Sequence, residues 1–161
     1  MEILNRPITS FRGKYEFLSN YYGCSFRYDQ IWYDSAEAAF QAQKTEDSEL
    51  QYAIAKLGPN PAKKMGRHLQ LRGDWDRIRD AVMWTVLLQK FYFNLPLAEQ
   101  LCATGNALLV EGNTWGDTYW GVCNGVGENR LGYMLMQIRN QYQHKPVEYD
   151  RKLLRSLAYY L

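Results

Sequence analysis

The amino-acid sequence predicts an α+β fold, a compact and mainly helical domain with a small sheet or hairpins. Three observations lead there. Apolar residues recur at helical spacing, most clearly Ile78, Val82, Met83, Val86 and Leu87. A Tyr- and Phe-rich run over residues 15–33 alternates loosely, as strands do. Apolar residues make up 47% of the 161 positions, enough for a core without staples. That length fits one domain, residues 1–161, and no linker, repeat or low-complexity segment divides it.

The elements follow in order. Within the alternating run, CSFRY and IWY flank Asp29 and Gln30, the expected turn of a hairpin. Asp34 or Ser35 caps the helix opened by SAEAAFQAQK, residues 35–44. Asn60 followed by Pro61 starts a short helix through PAKKMGRHL, and Asp74 caps a longer one. Pro96 restarts the chain into LAEQLCA, which Gly105 ends. ALLVE, residues 107–111, reads as a short strand. Residues 112–129, rich in Gly, Asn and Trp, read as an irregular loop whose length hints at function. Residues 131–142 return to helix. The amphipathic tail, residues 145–161, is expected to dock on the body as a C-terminal helix.

Composition narrows the function classes. The net charge of +2 makes no strong case for a nucleic-acid or membrane partner. Aromatic residues reach 15%, with 13 Tyr and 5 Trp; most fill a core, and an excess also suits planar ligands. Cys24, Cys102 and Cys123 are widely spaced and form no C-x-x-C pair, which points to free thiols in a reducing compartment. His68 and His144 belong to no ligand cluster, which disfavours a zinc site. MEILNRPITS lacks the pattern of a signal peptide, and no apolar run approaches the roughly 20 residues that span a bilayer. A cytoplasmic protein without metal or cofactor is the expectation. The sequence gives no oligomeric state.

P-loop and serine-hydrolase elbow motifs are absent from the sequence. Carboxylates, a lysine, amides and aromatics remain. At about 100° per residue, Glu37, Gln41 and Lys44 share one helical stripe with Phe40 beside it, while Ala36, Ala39 and Ala42 point elsewhere. Such a stripe is either bathed in water or aimed into a cleft. Glu37 suits a catalytic role or, through Asp34-Ser35-Ala36-Glu37, a capping box. Lys44 and Gln41, taken singly, suit a solvated helix face. Glu111 ends the presumed strand and Asp117 lies in the Trp-bearing loop, a usual place for a site, and both also suit an ordinary turn-rich loop. Trp115 and Trp120 read as core anchors, Trp120 equally as a stacking surface. The glycines of GVGENRLGYMLMQIR precede a helix N-terminus, a weak anion signal. Gly132 there serves close packing more readily. KLGPNPAKKMGRHLQLR carries several cations on what reads as a solvated face that also suits phosphates.

FRGKYEFLSNYY, SAEAAFQAQK, MGRHLQLRGDW, MWTVLLQKF, LLVEGNTWGDTYWG and GENRLGYMLMQIR occur in that order. Each is weak alone, but the ordered set, from about Phe11 to Arg139, resembles the YbiA-like family, also called the NADAR superfamily. The resemblance implies a compact, mainly helical α+β fold and metal-independent chemistry on N-glycosidic bonds of ribose-containing substrates. Some relatives hydrolyse phosphoribosylated intermediates of riboflavin synthesis; others remove ADP-ribose from modified guanine in nucleic acid. The motif residues carry over as Ser19, Asn20, Glu37, Gln41, Lys44, Arg67, Trp75, Glu111, Asp117, Trp120, Gly121, Asn129 and Gly132. One departure stands out: Ala38 replaces the histidine that often follows the first motif's glutamate.

The resulting expectation is an N-glycosidase. Lys44 is the nucleophile or charge-stabilising group and Glu37 the acid/base or ribose-binding partner, with Glu111 and Asp117 as further acid or base candidates. Asn20 and Asn129 would bind hydroxyls or the base. Arg67, with Arg12 and Lys14, would hold phosphate, and Trp120 would wall the ligand. The partner is a small ribosyl or ADP-ribosyl molecule, or ADP-ribosylated nucleic acid. The competing expectation is a module that binds ADP-ribose or a nucleotide without cleaving it.

Overall fold

The structure, a computed structural model, describes residues 6–144; the expected tail helix lies outside them. A 3-10 helix, Gly13–Leu18, precedes an antiparallel hairpin of β1 (Gly23–Tyr28) and β2 (Ile31–Ser35). Asp29 and Gln30 turn the hairpin at φ 45° and 69°, the paired positive values of a type I′ turn. Ile31, Tyr33 and Ser35 face inward along β2, alternating with exposed Trp32 and Asp34. Helices α1 (Ala36–Ala42), α2 (Ser48–Ala55), α3 (Pro59–Gly66), α4 (Trp75–Phe93), α5 (Leu95–Ala103) and α6 (Arg130–His144) follow. Between the last two, β3 (Gly112–Asn113) and β4 (Val122–Cys123) pair in parallel.

Three differences from the sequence reading have local causes. ALLVE is not a strand; it makes one bridge, Leu109 with Ile8. Ile8 takes Leu108 O and Val110 N at 2.8 Å each on one side, and on the other the Asn129 carboxamide, not a strand, donates to Leu109 O at 2.9 Å and accepts from Glu111 N at 3.0 Å. α2 was not anticipated, although Asp47 caps it by accepting from Glu49 N and Leu50 N. The helix expected through Leu69 stops at Gly66.

α1 lies at the centre of the core. All of its residues are buried, and it packs on β2, α2, α3 and α4. Ala36, Ala38, Ala39 and Ala42 allow that close approach from several sides. Around it, Phe26, Leu87 and Leu101 are fully buried, each contributing on the order of 1.5–3 kcal/mol. Among the described residues no helix is long and apolar enough to cross a membrane, and the three cysteines are free thiols.

Candidate active site

The helix cap decides what Glu37 can do. Ser35 Oγ accepts from Ala38 N at 3.1 Å, so Ser35 is the N-cap and Glu37 the second helical residue. A capping box needs the acid one position later, and Glu37 does not close one. Its carboxylate accepts from Gln41 Nε2 at 2.7 Å instead. Glu37, Phe40, Gln41 and Lys44 line one cavity of about 930 Å³, within the size range of small-molecule sites. Gly66 makes room for this stripe: a Cβ there would fall 1.9 Å from Gln41 Oε1. Ser19 and Asn20 continue the wall, joined to α1 by a hydrogen bond from Glu37 N to Asn20 O at 2.9 Å.

The loop between α5 and α6 brings Glu111, Trp115, Asp117 and Trp120 to the same cavity. Asp117 Oδ1 accepts from the amides of Tyr119 and Trp120 at 3.1 and 2.9 Å, and Asn113 brackets Asp117 N and O. The turn role considered for Asp117 is therefore real, and the residue lines the cavity as well. Trp120 meets Phe40 edge-on at 5.4 Å. The start of α6 is not open to an anion. Glu128 N donates to Thr118 O at 2.8 Å and Leu131 N to Trp120 O at 3.0 Å, so these amides hold the Trp-bearing loop.

A basic rim completes the cavity. Exposed Arg12, Lys64 and Arg67 and half-buried Lys63 line it, and Lys63 Nζ lies 5.6 Å from the Tyr21 ring and 5.8 Å from Trp115. Lys14 does not belong to this rim; it lines a separate hollow with Arg6.

Three residues expected to touch a ligand support the cavity from behind. Trp75 is buried, packs on Phe40 at 5.2 Å and lies 6.0 Å beneath the Lys44 ammonium. Gly121 lets the loop close on Glu111, since a Cβ there would fall 2.2 Å from Glu111 O. Asn129, at φ 52°, is occupied with the backbone of Leu109 and Glu111. Gly132 has the packing role expected of it, against Leu109 O.

Burial tunes the ionisable groups. It raises the Glu37 carboxyl, partly offset by the Gln41 hydrogen bond and by Lys63 and Lys44. Glu111 is pushed up to about 7, first by burial and then by Asp117. Burial lowers Lys44, with Glu37 opposing and Lys63 and Arg67 reinforcing the shift. The cavity therefore holds a carboxyl that titrates near neutrality and an amine biased toward its nucleophilic form. Lys90 was missed by the sequence reading. It is fully buried on α4, and its ammonium donates to Phe17 O and Ser19 O at 2.7 and 2.9 Å. The signal was present, because Met83, Val86, Leu87 and Lys90 fall on one helical stripe.

The NADAR domain family matches residues 9–143, and the chain belongs to that family. It is similar in structure to the Escherichia coli protein YbiA, with a TM-score of 0.77 and 34% identity over 87% of this chain and 86% of that one. In sequence it is 37% identical over 131 residues to the N-glycosidase YbiA of Escherichia coli (strain K12), covering 79% of this chain and 81% of the relative. An N-glycosidase of Nostoc punctiforme is 33% identical over 81% of this chain and 87% of its own length. A riboflavin biosynthesis protein of Vibrio vulnificus is 36% identical over 89% of this chain, which spans only 41% of that longer protein.

Proposed function

We propose that the chain hydrolyses the C–N glycosidic bond of a ribose-containing, nucleotide-like substrate. One observation carries this reading: Glu37 and Lys44 from the α1 side share a single cavity with Glu111 and Asp117 from the facing loop. Cleavage of such a bond builds positive charge at the anomeric carbon and negative charge on the departing base. Glu111, near 7, is suited to protonate the base. Glu37 and Asp117 place negative charge near the sugar and can activate water. Lys44, shifted toward the neutral amine, either stabilises charge or attacks the anomeric carbon. In the covalent route the C–N bond breaks with its electron pair leaving on the base. Glu111 supplies the base's proton; the ribose ring C–O bond then opens, its oxygen takes the proton that the lysine nitrogen loses, and water hydrolyses the resulting Schiff base between Lys44 and the opened ribose.

Asn20, Ser19 and Gln41 would orient the ribose, Trp120 would wall the base, and Arg67 with Arg12 would hold phosphate. Lys63 and Lys64 extend that rim. Two substrates are candidates, a phosphoribosylated intermediate of riboflavin synthesis and ADP-ribosylated guanine. The small net charge of +2 and the name of the Vibrio relative support the former. The reducing compartment that suits three free thiols supports a cytoplasmic setting. Ala38 is fully buried and does not itself line the cavity. Retention of both Glu37 and Lys44 in the cavity favours turnover over a purely binding role.

Incubation with each substrate, followed by mass detection of the free base, tests the reading. Released base is expected from one of them. A tight complex without released base would replace this reading with that of a binding module.

A further inference from the structure

Tyr119 stands outside the cavity, yet its sequence neighbours Asp117 and Trp120 line it. The Tyr119 hydroxyl donates to Asp80 Oδ1 on α4 at 2.6 Å. The guanidinium carbons of Arg79 and Arg130 lie 4.0 and 4.4 Å from the centre of its ring, close enough for a cation to be drawn to an aromatic face. Arg130, the first residue of α6, also pairs with Asp80 and, at 2.6 Å, with Glu128. One side chain of the loop thus meets α4 and α6 together.

The bonds of Asp117 and Asn113 shape the loop without carrying it to α4. Their side chains bond to backbone groups of the loop itself. The bonds from Arg130 N to Tyr119 O and from Leu131 N to Trp120 O reach α6. The Tyr119–Asp80 bond reaches α4, the helix on which α1 packs. It therefore spans from the loop that bears Asp117 and Trp120 to the support of the helix that bears Glu37. On the cavity side, the Trp120 ring meets Tyr119 edge-on at 4.9 Å and Phe40 of α1 at 5.4 Å. The Arg130–Asp80 pair is more than a third exposed on both sides, and such a pair adds little stability. Its effect is directional, holding the carboxylate where the Tyr119 hydroxyl meets it.

We propose that Tyr119 and Asp80 are positioning residues of the cleft: the bond between them, made outside the cavity, sets Trp120 and Asp117 on the loop against Glu37 and Lys44 on the α1 side. The consequence for turnover rests on the N-glycosidase reading; the effect on Trp120 does not. Misplacement by about 1 Å can cost about 10²-fold in rate. With the backbone ties to α6 intact, a loss of about tenfold is expected.

The test is fluorine NMR of the protein labelled with fluorotryptophan, the Trp120 signal being assigned by its loss in Trp120→Phe. Tyr119→Phe keeps the ring and removes the hydroxyl. Asp80→Ala removes the acceptor, and Asp80→Asn retains one. Tyr119→Phe and Asp80→Ala are each expected to shift or broaden the Trp120 signal. For the substrate that releases base, kcat should fall about tenfold in both, with KM changed less. Asp80→Asn should bring both readouts back toward the wild type. In the Tyr119→Phe background, Asp80→Ala should move the Trp120 signal no further. A lower melting temperature with an unmoved Trp120 signal would reduce the bond to a structural tie and overturn the proposal. So would a moved signal with kcat unchanged, in a protein that releases base. Asp80→Ala against Asp80→Asn decides the matter where Tyr119→Phe does not fold. A moved Trp120 signal, in a protein whose wild type releases no base, supports the positioning link and defeats the glycosidase reading.

Discussion

Gln41 Nε2 donates to Glu37 Oε1 at 2.7 Å, while the far side of the same carboxamide presses on Gly66. One glycine on α3 thus governs a carboxylate on α1. A Cβ at position 66 would lie 1.9 Å from Gln41 Oε1 and 2.7 Å from its Cδ. Gly66→Ala is expected to push the carboxamide away and strip Glu37 of its donor. Overpacking of this kind costs about 1–3 kcal/mol, visible as a lower denaturation midpoint. Activity should fall about tenfold or more, since 1.4 kcal/mol of lost transition-state stabilisation is a factor of ten.

Glu111 gives a stability prediction with a defined sign. Its midpoint lies near 7 in the folded protein against a reference of 4.5. Between those values the folded state holds more protons than the unfolded one, so the Glu111 contribution falls as pH rises from about 4.5 to 7. Glu111→Gln removes that penalty. The variant should gain up to about 3 kcal/mol at pH 8 and almost nothing at pH 4, while turnover is lost. Denaturant titrations at both pH values check this.

The two ties made by the Asn129 side chain, to Leu109 O and Glu111 N, make it a structural residue beneath Glu111. Asn129→Ala leaves both backbone groups without their partner, at a cost of about 2–4 kcal/mol. Melting curves should show this loss. Calorimetric binding of ribose 5-phosphate to the folded variant should match the wild type. Weakened binding would restore the ligand contact expected of Asn129 from sequence.

Arg67 stands exposed on the cavity rim beside Lys63 and Lys64. Arg67→Ala is expected to raise KM by about tenfold or more with little change in kcat, the pattern of a group that binds ground state and transition state alike. Added salt should narrow the difference between variant and wild type.

The central feature of the cleft was legible because a helix has a fixed period. Spacing alone put Glu37, Gln41 and Lys44 on one stripe, and the cavity follows that stripe. The hairpin turn at Asp29 and Gln30 was legible from the apolar runs on either side. Spacing does not separate a residue that lines a cavity from one that supports it. Trp75, Gly121 and Asn129 were misplaced for that reason. ALLVE has the composition of a strand, and only the distant Asn129 carboxamide shows why it is not one. Lys90 was overlooked because a lysine is ordinarily read as solvated, even on an apolar stripe.

The cleft is expected to work through Glu37 and Lys44 serving one reaction. The most direct measurement is the rate of free-base release by the wild type, Glu37→Gln, Lys44→Ala and the double variant, each shown to be folded by circular dichroism. Each single change is expected to cost about 10² to 10⁴ in rate, and the double variant should be little worse than the poorer single one. Release at the wild-type rate from folded Lys44→Ala, or from folded Glu37→Gln, would contradict it.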